Sequence, residues 1–418
     1  NIDLIVVNFY PFEQVVKYNK SHKKIIENID IGGPTMVRAA AKNYNDVAVL
    51  TSIDQYKKLI KEMENNKGKT SLKFRQEMSQ SAFSETAYYD ALISDYFNTL
   101  NKTNFPKKKI SYSKLIKKLR YGENPHQESA IYSKDESNSI IQLNGKELSY
   151  NNYNDIFTAL AISKTLPRNI GTVIVKHANP CGVSIVKDKV ESFETALACD
   201  PISAFGGIVS CNFKININLA LKLNKIFFEV IIGNGFEKKA LQVLKKKKNL
   251  RIIDSSKYSI RHNFNINSIN QNILVQSEDT KKFSKSDFKV VSKNRPNKSQ
   301  LNDLIFAFNV CRFVKSNAIV ITNKNSTIGI GSGQPSRLDS CEIAINKMKK
   351  FYKEEKNDEI VAASDAFFPF VDGVEKLVQA GVSAIIQPSG SIRDKEIIKF
   401  ANDTGTILVF SKTRHFKH

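Results

Sequence analysis

Short apolar runs alternate with amphipathic stretches along the whole chain. In the first hundred residues, the β-branched runs Asp3–Phe9 and Val47–Thr51 are typical of buried strands. Helical periodicity covers Thr35–Asn43, Asp54–Asn65 and Phe74–Leu100. Because strands alternate with helices, the pattern predicts an α/β layer with a mainly parallel sheet.

A polar, basic stretch at residues 101–112 (NKTNFPKKKISY) interrupts this alternation and is the best candidate domain boundary. Beyond it the alternation resumes, and the further strand candidates are Thr172–Lys176, Gly207–Ser210, Ala318–Thr322, Ala384–Gln387 and Thr406–Phe410. Ligands of open α/β sheets bind at the carboxyl ends of strands, so the turns after these runs are the first places to search for a site. A length of 418 residues favours two or three domains.

A weak internal echo links two parts of the chain. Val173–Val175 leads into Lys176–Asn179 as Ile319–Ile321 leads into Thr322–Asn325. A second match has the same spacing and order: Asp200 precedes Phe205 by five positions, as Asp365 precedes Phe370. Together the matches predict two copies of one α/β unit.

Composition narrows the class of protein. An apolar share of 41% and a charged share of 25% are ordinary for a globular protein, and no apolar run has the length of a membrane span. The chain opens inside a strand with Asn1, which predicts a fragment rather than a signal peptide.

The net charge of +22 has two interpretations. Clustered Lys and Arg side chains bind nucleic acid, which would release counterions from phosphate. The alternative is a Lys-rich composition on solvated surfaces. The runs Lys107–Lys109 and Lys245–Lys248 lack interleaved aromatics and favour this second interpretation, although a positive field would still attract anionic ligands.

The five cysteines form no C-x-x-C pair and are odd in number. This argues against a disulfide framework or a zinc site and indicates a reducing cytoplasm.

The segment VIVKHANPCGV, at 173–183, carries the sharpest chemical signal. A strand delivers Lys176 and His177 into a turn, where an imidazole could move protons and an ammonium could stabilise an oxyanion. A structural His beside a solvated Lys is an equally weighted alternative. Zinc deaminases use H-x-E and P-C-x-x-C, but here the glutamate and the second cysteine are absent.

Two further segments suit anions. In LRYGENPHQ, Arg120 offers a planar fork for phosphate and Tyr121 a hydroxyl or a stacking face, although a surface loop with an Arg is ordinary. In IGIGSGQPSR, glycines 329, 331 and 333 precede Arg337 and predict an anion-cradling turn that is neither a Rossmann nor a P-loop motif.

An aromatic segment and the C-terminal tail supply further candidate site residues. SDAFFPFVDG, at 364–373, combines phenylalanines and aspartates that suit a flat heteroaromatic ligand, with core packing as the alternative for one or two of the rings. The tail Arg414–His418 is expected to be frayed unless the preceding strand holds it in place.

In the first domain, NFYPF ends a strand and IDIGGPTMVRAAAK crosses a turn into a helix. Gly32, Gly33 and Pro34 can turn the chain so that backbone amides face an anion, with Asp30 before the turn and Lys42 down the helix. A simple strand–turn–helix connection is the alternative.

Taken in order, these segments resemble one family, the bifunctional enzymes that combine AICAR transformylase with IMP cyclohydrolase. The family-like motifs are IDIGGPTMVRAAAKN, LRYGENPHQ, VIVKHANPCG, DPISAFGG, SNAIV, IGIGSGQPSR, SDAFFPFVDG, QPSGSIRD and RHFKH. The resemblance implies an α/β fold in two parts. Residues 1–105 would be the C-terminal part of a methylglyoxal-synthase-like cyclohydrolase domain, and 112–418 a transformylase domain of two cytidine-deaminase-like subdomains without zinc.

The resemblance also implies site residues. Lys176 and His177 would be the catalytic pair of the transformylase, with Asn317 beside them. The nucleotide and the folate would be bound by Arg120, Tyr121, Phe205, Gly206, Glu229, Arg337, Asp372, Arg414, Phe416 and His418. The cyclohydrolase would use Tyr10, Asp30 and Lys42. Because the family's phosphate-binding loop and another lysine would precede Asn1, we expect this chain to close the purine ring inefficiently.

By the same resemblance, the chain would carry out the last two steps of de novo purine biosynthesis in the cytoplasm. Its ligands would be AICAR, formyl-AICAR, IMP and 10-formyltetrahydrofolate, a folate that serves as co-substrate, with no metal required. A homodimer is expected, and neither nucleic acid nor membrane is an expected partner. The rivals are a basic nucleic-acid-binding protein, a zinc deaminase, and a transformylase whose cyclohydrolase half is inactive.

Overall fold

The computed structural model describes residues 2–19, 21–135, 138, 140–260, 264–281, 283, 285–353, 355 and 358–418. The chain divides into two compact units. The first comprises Asn1–Lys117 and Ile131–Lys134, and the second comprises Lys118–Ala130 and Asp135–His418. The change of unit therefore comes at Lys117, a few residues beyond the polar stretch at 101–112, and the domain ranges 1–105 and 112–418 stay predictions.

The first unit is an α/β layer, as its alternating pattern predicts. Its elements are β1 (Leu4–Val6), α1 (Phe12–Tyr18), α2 (His22–Glu27), α3 (Gly32–Lys42), β2 (Ala48–Leu50), α4 (Tyr56–Asn65) and α5 (Leu72–Leu100). Strands β1 and β2 are parallel, with Leu4 opposite Ala48. Helix α5 begins two residues before the predicted Phe74 because the Ser71 hydroxyl accepts a hydrogen bond from the Phe74 N–H and caps the helix.

Two strands follow where the chain passes between the units: β3 (Lys114–Leu119) and β4 (Ser129–Ser133), which pair with each other. The first half of the second unit then contains β5 (Ile141–Asn144), α6 (Tyr150–Ser163), β6 (Thr172–Lys176), β7 (Asn179–Ser184), α7 (Lys189–Ala198), α8 (Pro201–Ala204), β8 (Ile208–Cys211), α9 (Ile217–Asn224), β9 (Val230–Gly233), α10 (Lys238–Lys245) and β10 (Arg251–Asp254). A separate hairpin of β11 (Phe264–Ile269) and β12 (Asn272–Ser277) comes next.

The second half contains β13 (Phe288–Val290), α11 (Lys298–Cys311), β14 (Ile319–Asn323), β15 (Ser326–Gly331), α12 (Arg337–Phe351), β16 (Val361–Ser364), α13 (Asp372–Gln379), β17 (Ala384–Pro388), α14 (Asp394–Asp403) and β18 (Ile407–Ser411). The predicted strands at 172–176, 207–210, 318–322, 384–387 and 406–410 are all confirmed to within one residue. They are recognisable because several are buried on both faces and are therefore continuous apolar runs.

A sheet of twelve described strands runs through both halves of the second unit. Its order is β13-β18-β17-β16-β14-β15-β7-β6-β8-β9-β10-β5, which has the same connectivity read inward from either end. In each half three neighbouring strands are parallel to one another: β8, β9 and β10 in the first half, and β16, β17 and β18 in the second. In each half a hairpin lies nearer to the centre of the sheet than these three strands. The halves join where Ser184 of β7 lies opposite Ser326 of β15. The sheet is thus mixed, and its two halves repeat one strand order, as two copies of one α/β unit would.

The two central hairpins turn in the same way. Their turn residues, His177 and Ala178 in one hairpin and Lys324 and Asn325 in the other, all have positive φ angles. Two residues of this kind form the tight turn that suits the twist of a hairpin. The structure therefore aligns His177 with Lys324, one residue later than the sequence echo suggested. The match of Asp200 to Asp365 is wrong, because Asp200 lies before β8 whereas Asp365 follows β16.

Helices cover both faces of this sheet. On one face α6 and α11 bury a continuous apolar core that contains Ile156, Leu160 and Phe308. On the other face each half has its own core, around Phe193 in the first half and Phe368 in the second. No helix within the described ranges is both long enough and apolar enough to cross a membrane.

Candidate functional site

A cavity of about 450 Å³ opens at the ends of β14 and β16, beside the start of α12. Its lining consists of Asn317, Pro335, Ser336, Arg337, Leu338, Ala366, Phe367, Phe368, Pro369, Phe370, Asp372, Gly373, Arg414 and Phe416. The volume is that of a site for a small organic molecule. Five residues predicted from the sequence meet here: Asn317, Arg337, Asp372, Arg414 and Phe416.

Arg337 is the buried centre of this site. Only 8% of its side chain is exposed, and its guanidinium forms an ion pair with Asp365, which is fully buried. The same guanidinium donates to the Ser364 hydroxyl (2.8 Å) and to Oδ1 of Asn317 (2.7 Å). With its oxygen held by Arg337, Asn317 donates through Nδ2 to the carbonyls of Gln334 and Pro335, both at 2.9 Å. The predicted pair Asn317 and Arg337 is therefore one hydrogen-bonded assembly.

Asp365 connects this assembly to two other segments. Its second carboxylate oxygen accepts a hydrogen bond from the Ser316 hydroxyl at 2.5 Å. Its backbone carbonyl accepts one from the N–H of His415 at 2.9 Å. The carboxylate of Asp365 thus connects the start of α12 with the entrance to β14, and its backbone carbonyl holds the C-terminal tail.

The phenylalanines of SDAFFPFVDG differ in exposure. All three line the cavity, but Phe367 and Phe370 are 37% and 51% exposed, whereas Phe368 is 1% exposed and packs in the core. The exposed rings supply flat apolar surface for an aromatic ligand. The Arg393 guanidinium lies 4.8 Å from the centre of the Phe370 ring.

The C-terminal tail is held in place rather than frayed. The His415 side chain is buried, forms an ion pair with Asp279 when protonated, and contacts the rings of Phe283 and Phe308, each with a centroid separation of 5.0 Å. The next residues exchange hydrogen bonds with Ser316, whose N–H donates to the Lys417 carbonyl (2.9 Å). This anchoring brings Arg414 and Phe416 to the cavity.

His418 and the Lys417 ammonium lie at the edge of the same tail. The ring of His418 has its centroid 5.7 Å from that of Phe416, but His418 does not line the cavity. Burial, and then the nearby charge of Lys315, lower the pKa of Lys417. Its ammonium donates to the Phe313 carbonyl at 3.2 Å, so Lys417 has a structural contact of its own.

A second group of predicted residues gathers around the turn between β6 and β7. The Lys176 ammonium donates to the Phe205 carbonyl at 2.9 Å, and the next residue, Gly206, donates its N–H to the Phe227 carbonyl. His177 is exposed in the turn, and its N–H donates to Asp155. Glu229 lies close enough to influence the charge on Asp155. Lys176, His177, Phe205, Gly206 and Glu229 thus form one cluster.

This cluster does not line the cavity, but the chain connects the two. Asn179, at the start of β7, accepts a hydrogen bond through Oδ1 from the N–H of Lys315 at 3.0 Å. Lys315 lies two residues before Asn317. The turn that carries Lys176 and His177 is therefore adjacent to the segment that brings Asn317 to the cavity.

Arg120 and Tyr121 lie outside both groups. Arg120 is exposed, with its guanidinium 5.6 Å from the centre of the Tyr121 ring. The Tyr121 carbonyl accepts a hydrogen bond from the Ser129 hydroxyl, and the loop closes through the Gly122 N–H and the Gln127 carbonyl at 2.7 Å. The structure places neither residue at the cavity.

In the first unit, Asp30 caps helix α3. Its carboxylate accepts hydrogen bonds from the Gly33 N–H (2.8 Å) and the Tyr10 N–H (3.4 Å). Asp30 therefore occupies the helix N-terminus at which the sequence predicted a bound anion. Tyr10 and Asp30 are thus brought together. Lys42 ends α3, nine residues after Gly33 and about 14 Å along the helix axis. The structure does not bring it to Asp30.

Two of the three glycines of IGIGSGQPSR do not lie in a turn, and the prediction is wrong for Gly329 and Gly331. Gly329 and Gly331 lie in β15, and a Cβ at either position would collide with a backbone carbonyl of α12, Ala344 or Ser340 respectively. Only Gly333, with φ of 69°, lies in the turn. These glycines let α12 approach the sheet, which places Arg337 at the cavity.

Three residues of the site escaped sequence reasoning. Phe367 was one of several aromatic residues, and nothing in the pattern separates it from the buried Phe368 next to it. Asp365 belongs to the internal echo and to the aspartates of SDAFFPFVDG, but its role as the partner of Arg337 is visible only in the structure. Asp155 belongs to an unremarkable helical stretch, and only the fold brings it to His177.

The cysteines and acids of the described residues show no metal-binding geometry. No group of three or more His, Cys, Asp or Glu residues in the described ranges is arranged to hold a metal ion. Cys181, in the NPCG segment, is a buried thiol, and burial raises its pKa to about 12.

Comparison with known proteins places the chain among relatives. A family model described as AICARFT/IMPCHase bienzyme matches residues 40–347. The bifunctional purine biosynthesis protein PurH of Bradyrhizobium diazoefficiens is 44% identical, with 100% of this chain and 81% of the relative covered. Those of Oceanobacillus iheyensis and Aquifex aeolicus are 41% and 42% identical, each with 100% of this chain and 82% of the relative covered. These similarities agree with the sequence motifs, and the chain belongs to the AICARFT/IMPCHase bienzyme family.

Proposed function

We propose that the chain transfers the formyl group of 10-formyltetrahydrofolate to AICAR and that the formyl-AICAR is then closed to IMP. The observation that carries the proposal is the cavity, in which Asn317, Arg337, Asp372, Arg414 and Phe416 converge. Family membership supplies the substrates, and the side chains suit them. Arginines match a phosphate, and the rings of Phe367 and Phe416 match a flat base.

The chemistry of formyl transfer explains the residue types of the turn cluster. The amino group of AICAR is conjugated with its carboxamide and is a poor nucleophile, so His177 serves as base, directly or through that carboxamide. The attack on the formyl carbon creates an oxyanion, which Lys176 or Asn317 stabilises. Most of the rate gain comes from orienting the two bound ligands and from stabilising this charge.

Ring closure is assigned to the first unit. Tyr10 and Asp30 are adjacent there through the Tyr10 N–H and the Asp30 carboxylate, and Lys42 is the third residue of the assignment. Loss of water from formyl-AICAR requires proton transfer at the attacking amide and at the formyl oxygen, for which a phenol, a carboxylate and an ammonium are suitable.

The finer architecture is also part of the proposal. The second unit is proposed to consist of two cytidine-deaminase-like subdomains, supported by the equal strand order of its halves. The first unit is proposed to be methylglyoxal-synthase-like. A cytoplasmic homodimer is proposed, and in it Arg120, Tyr121 and His418 complete a ligand site, since they lie apart from the cavity within one chain.

The test mixes purified chain with AICAR and 10-formyltetrahydrofolate and follows tetrahydrofolate release and both purine products. Folate turnover that His177→Ala abolishes supports the transformylase. The matched control is Lys324→Ala, which alters the corresponding turn of the second half and should keep turnover. A folded wild-type chain without folate turnover would refute the proposal.

IMP formation is measured in the same assay from added formyl-AICAR. Turnover that falls with Tyr10→Phe or Asp30→Asn, while folate turnover stays unchanged, supports the assignment of ring closure to the first unit. If the added formyl-AICAR is not converted to IMP, only formyl transfer belongs to this chain.

A further inference from the structure

The turn that presents Lys176 and His177 has a backbone conformation that its residues disfavour. His177 and Ala178 have φ angles of 54° and 56°, in the left-handed region where a Cβ is crowded. Histidine adopts this region more readily than most residues, but alanine does not, and two successive residues of this conformation are not explained by local preference. Contacts from outside the hairpin must hold it.

Asp155 provides those contacts. It lies in α6, and its two carboxylate oxygens accept hydrogen bonds from the two turn residues: Oδ2 from the His177 N–H (3.2 Å) and Oδ1 from the Ala178 N–H (2.7 Å). Helix α6 is itself fixed at its start by the capping pair Ser149 and Asn152. The carboxylate is only partly accessible, and burial raises the pKa of Asp155.

The second half of the same unit repeats this arrangement. Asp303 lies six residues after the cap Asn297 of α11, as Asp155 lies six residues after the cap Ser149 of α6. Its Oδ1 accepts a hydrogen bond from the Asn325 N–H at 2.8 Å, and its carboxylate also interacts with the Lys324 N–H. An aspartate that supports the hairpin turn is therefore a feature of both halves.

The two turns differ in what they carry. In the second half, the Lys324 ammonium is paired with Glu355 and Asp358, so it is occupied by neighbouring acids. In the first half, His177 is exposed and the Lys176 ammonium donates to a backbone carbonyl, that of Phe205. An aspartate on a helix therefore supports a turn with an exposed histidine in the first half and a turn with an ion-paired lysine in the second half.

We propose that Asp155 is a positioning residue for formyl transfer, which acts through the turn to fix the Lys176 ammonium and the His177 imidazole. The inference rests on the proposed function of these two residues. Without the two hydrogen bonds the turn relaxes toward conformations that its residues prefer, and both functional groups move together.

The test compares Asp155→Asn with Asp303→Asn. An asparagine keeps the shape but replaces one of the two acceptor oxygens by an NH2 group, so one of the two turn N–H groups faces a donor and loses its hydrogen bond. Both variants should lower the thermal midpoint by similar amounts. Asp155→Asn should lower kcat for folate turnover about tenfold to a hundredfold, with KM for AICAR changed less than about twofold, since misplacement by about 1 Å has effects of this size. Asp303→Asn should keep kcat within about twofold.

A third variant separates positioning from folding. In Asp155→Asn/Ala178→Gly, the glycine accepts the left-handed conformation and should recover the thermal midpoint. If kcat stays low, the carboxylate positions the reactive groups. If kcat recovers together with the midpoint, or if Asp155→Asn and Asp303→Asn have the same kcat, Asp155 has a structural role only and the inference is wrong.

The wild type and His177→Ala are measured alongside. If His177→Ala keeps full turnover, the proposed function of His177 has failed, whatever Asp155→Asn does. If His177→Ala loses turnover and Asp155→Asn retains it, the proposed function stands and this inference alone has failed.

Discussion

Replacing Asp365 by alanine removes the carboxylate that neutralises Arg337 in the interior of the second unit. The two side chains are 0% and 8% exposed, so solvent compensates little for the lost partner. The guanidinium keeps Asn317 and Ser364 as acceptors, but neither carries charge. The Ser316 hydroxyl loses its acceptor as well.

The expected cost follows from this burial. Removing one partner of a buried ion pair typically costs about 3–5 kcal/mol, because it leaves an uncompensated charge. Arg337→Leu should cost a similar amount, since the Asp365 carboxylate would then be buried alone. Total stabilities are about 5–15 kcal/mol, so either variant should lose a large part of the stability of the unit. The double variant should cost less than the sum of the two, by about 2–3 kcal/mol.

The assay is urea unfolding followed by far-ultraviolet circular dichroism, because the chain contains no tryptophan. The matched control is Glu396→Ala, which breaks the exposed pair of Arg393 and Glu396 and should cost less than about 1 kcal/mol. Folate turnover is measured on the same samples. The double variant should recover stability but not turnover, because Arg337 is also a proposed ligand contact.

Two results would refute this reasoning. Single variants that each cost less than about 1 kcal/mol would mean that the pair is as well solvated as a surface pair. Additive single and double variants would mean that the two charges do not interact. In either case Asp365 would not be the residue that holds Arg337 and Asn317 in place.

Two further predictions concern the same unit. Gly331→Ala places a Cβ against the Ser340 carbonyl, and it should destabilise the fold by about 1–3 kcal/mol and raise KM as α12 moves. The control Gly32→Ala has open space around the new Cβ and should not destabilise the fold. Thermal unfolding and turnover are measured for both variants. Burial alone would raise the pKa of Asp279, but the hydrogen bond and charge of His415 outweigh it and lower that pKa. The stability that the lowered pKa of Asp279 contributes is therefore lost as the pH falls from about 4, the unfolded value, through the lower folded value. The difference between wild type and Asp279→Asn should shrink below about pH 4 in acid titrations of unfolding, and a difference that grows on acidification would contradict this sign.

Much of the fold was accessible from the sequence. Strands such as Thr172–Lys176 are continuous apolar runs because they are buried on both faces, and such runs are visible without the structure. Helix α5 was located to within two residues, since its apolar periodicity is long. The internal echo predicted two copies of one unit. The echo could not give the alignment of the two turns, because that alignment depends on strand pairing rather than on the similarity of the residues.

The candidate site was only partly accessible. Motifs pointed to Asn317, Arg337, Asp372, Arg414 and Phe416, which belong to four different segments, and only the structure shows that they share a cavity. The difference in exposure between Phe367 and Phe368 depends on which of the two side chains packs into the core. The roles of Gly329 and Gly331 depend on how closely α12 approaches β15.

The sequence by itself determined the local elements, the family and the chemical character of the site residues, because these depend on neighbours along the chain or on motif matches. The tertiary structure decided which side chains are partners: Asp365 with Arg337, Asp279 with His415, and Asp155 with the turn of His177. Partners such as Asp279 and His415 lie 136 residues apart in the chain. No local pattern encodes such a pair, since its energy arises only when folding removes both groups from water.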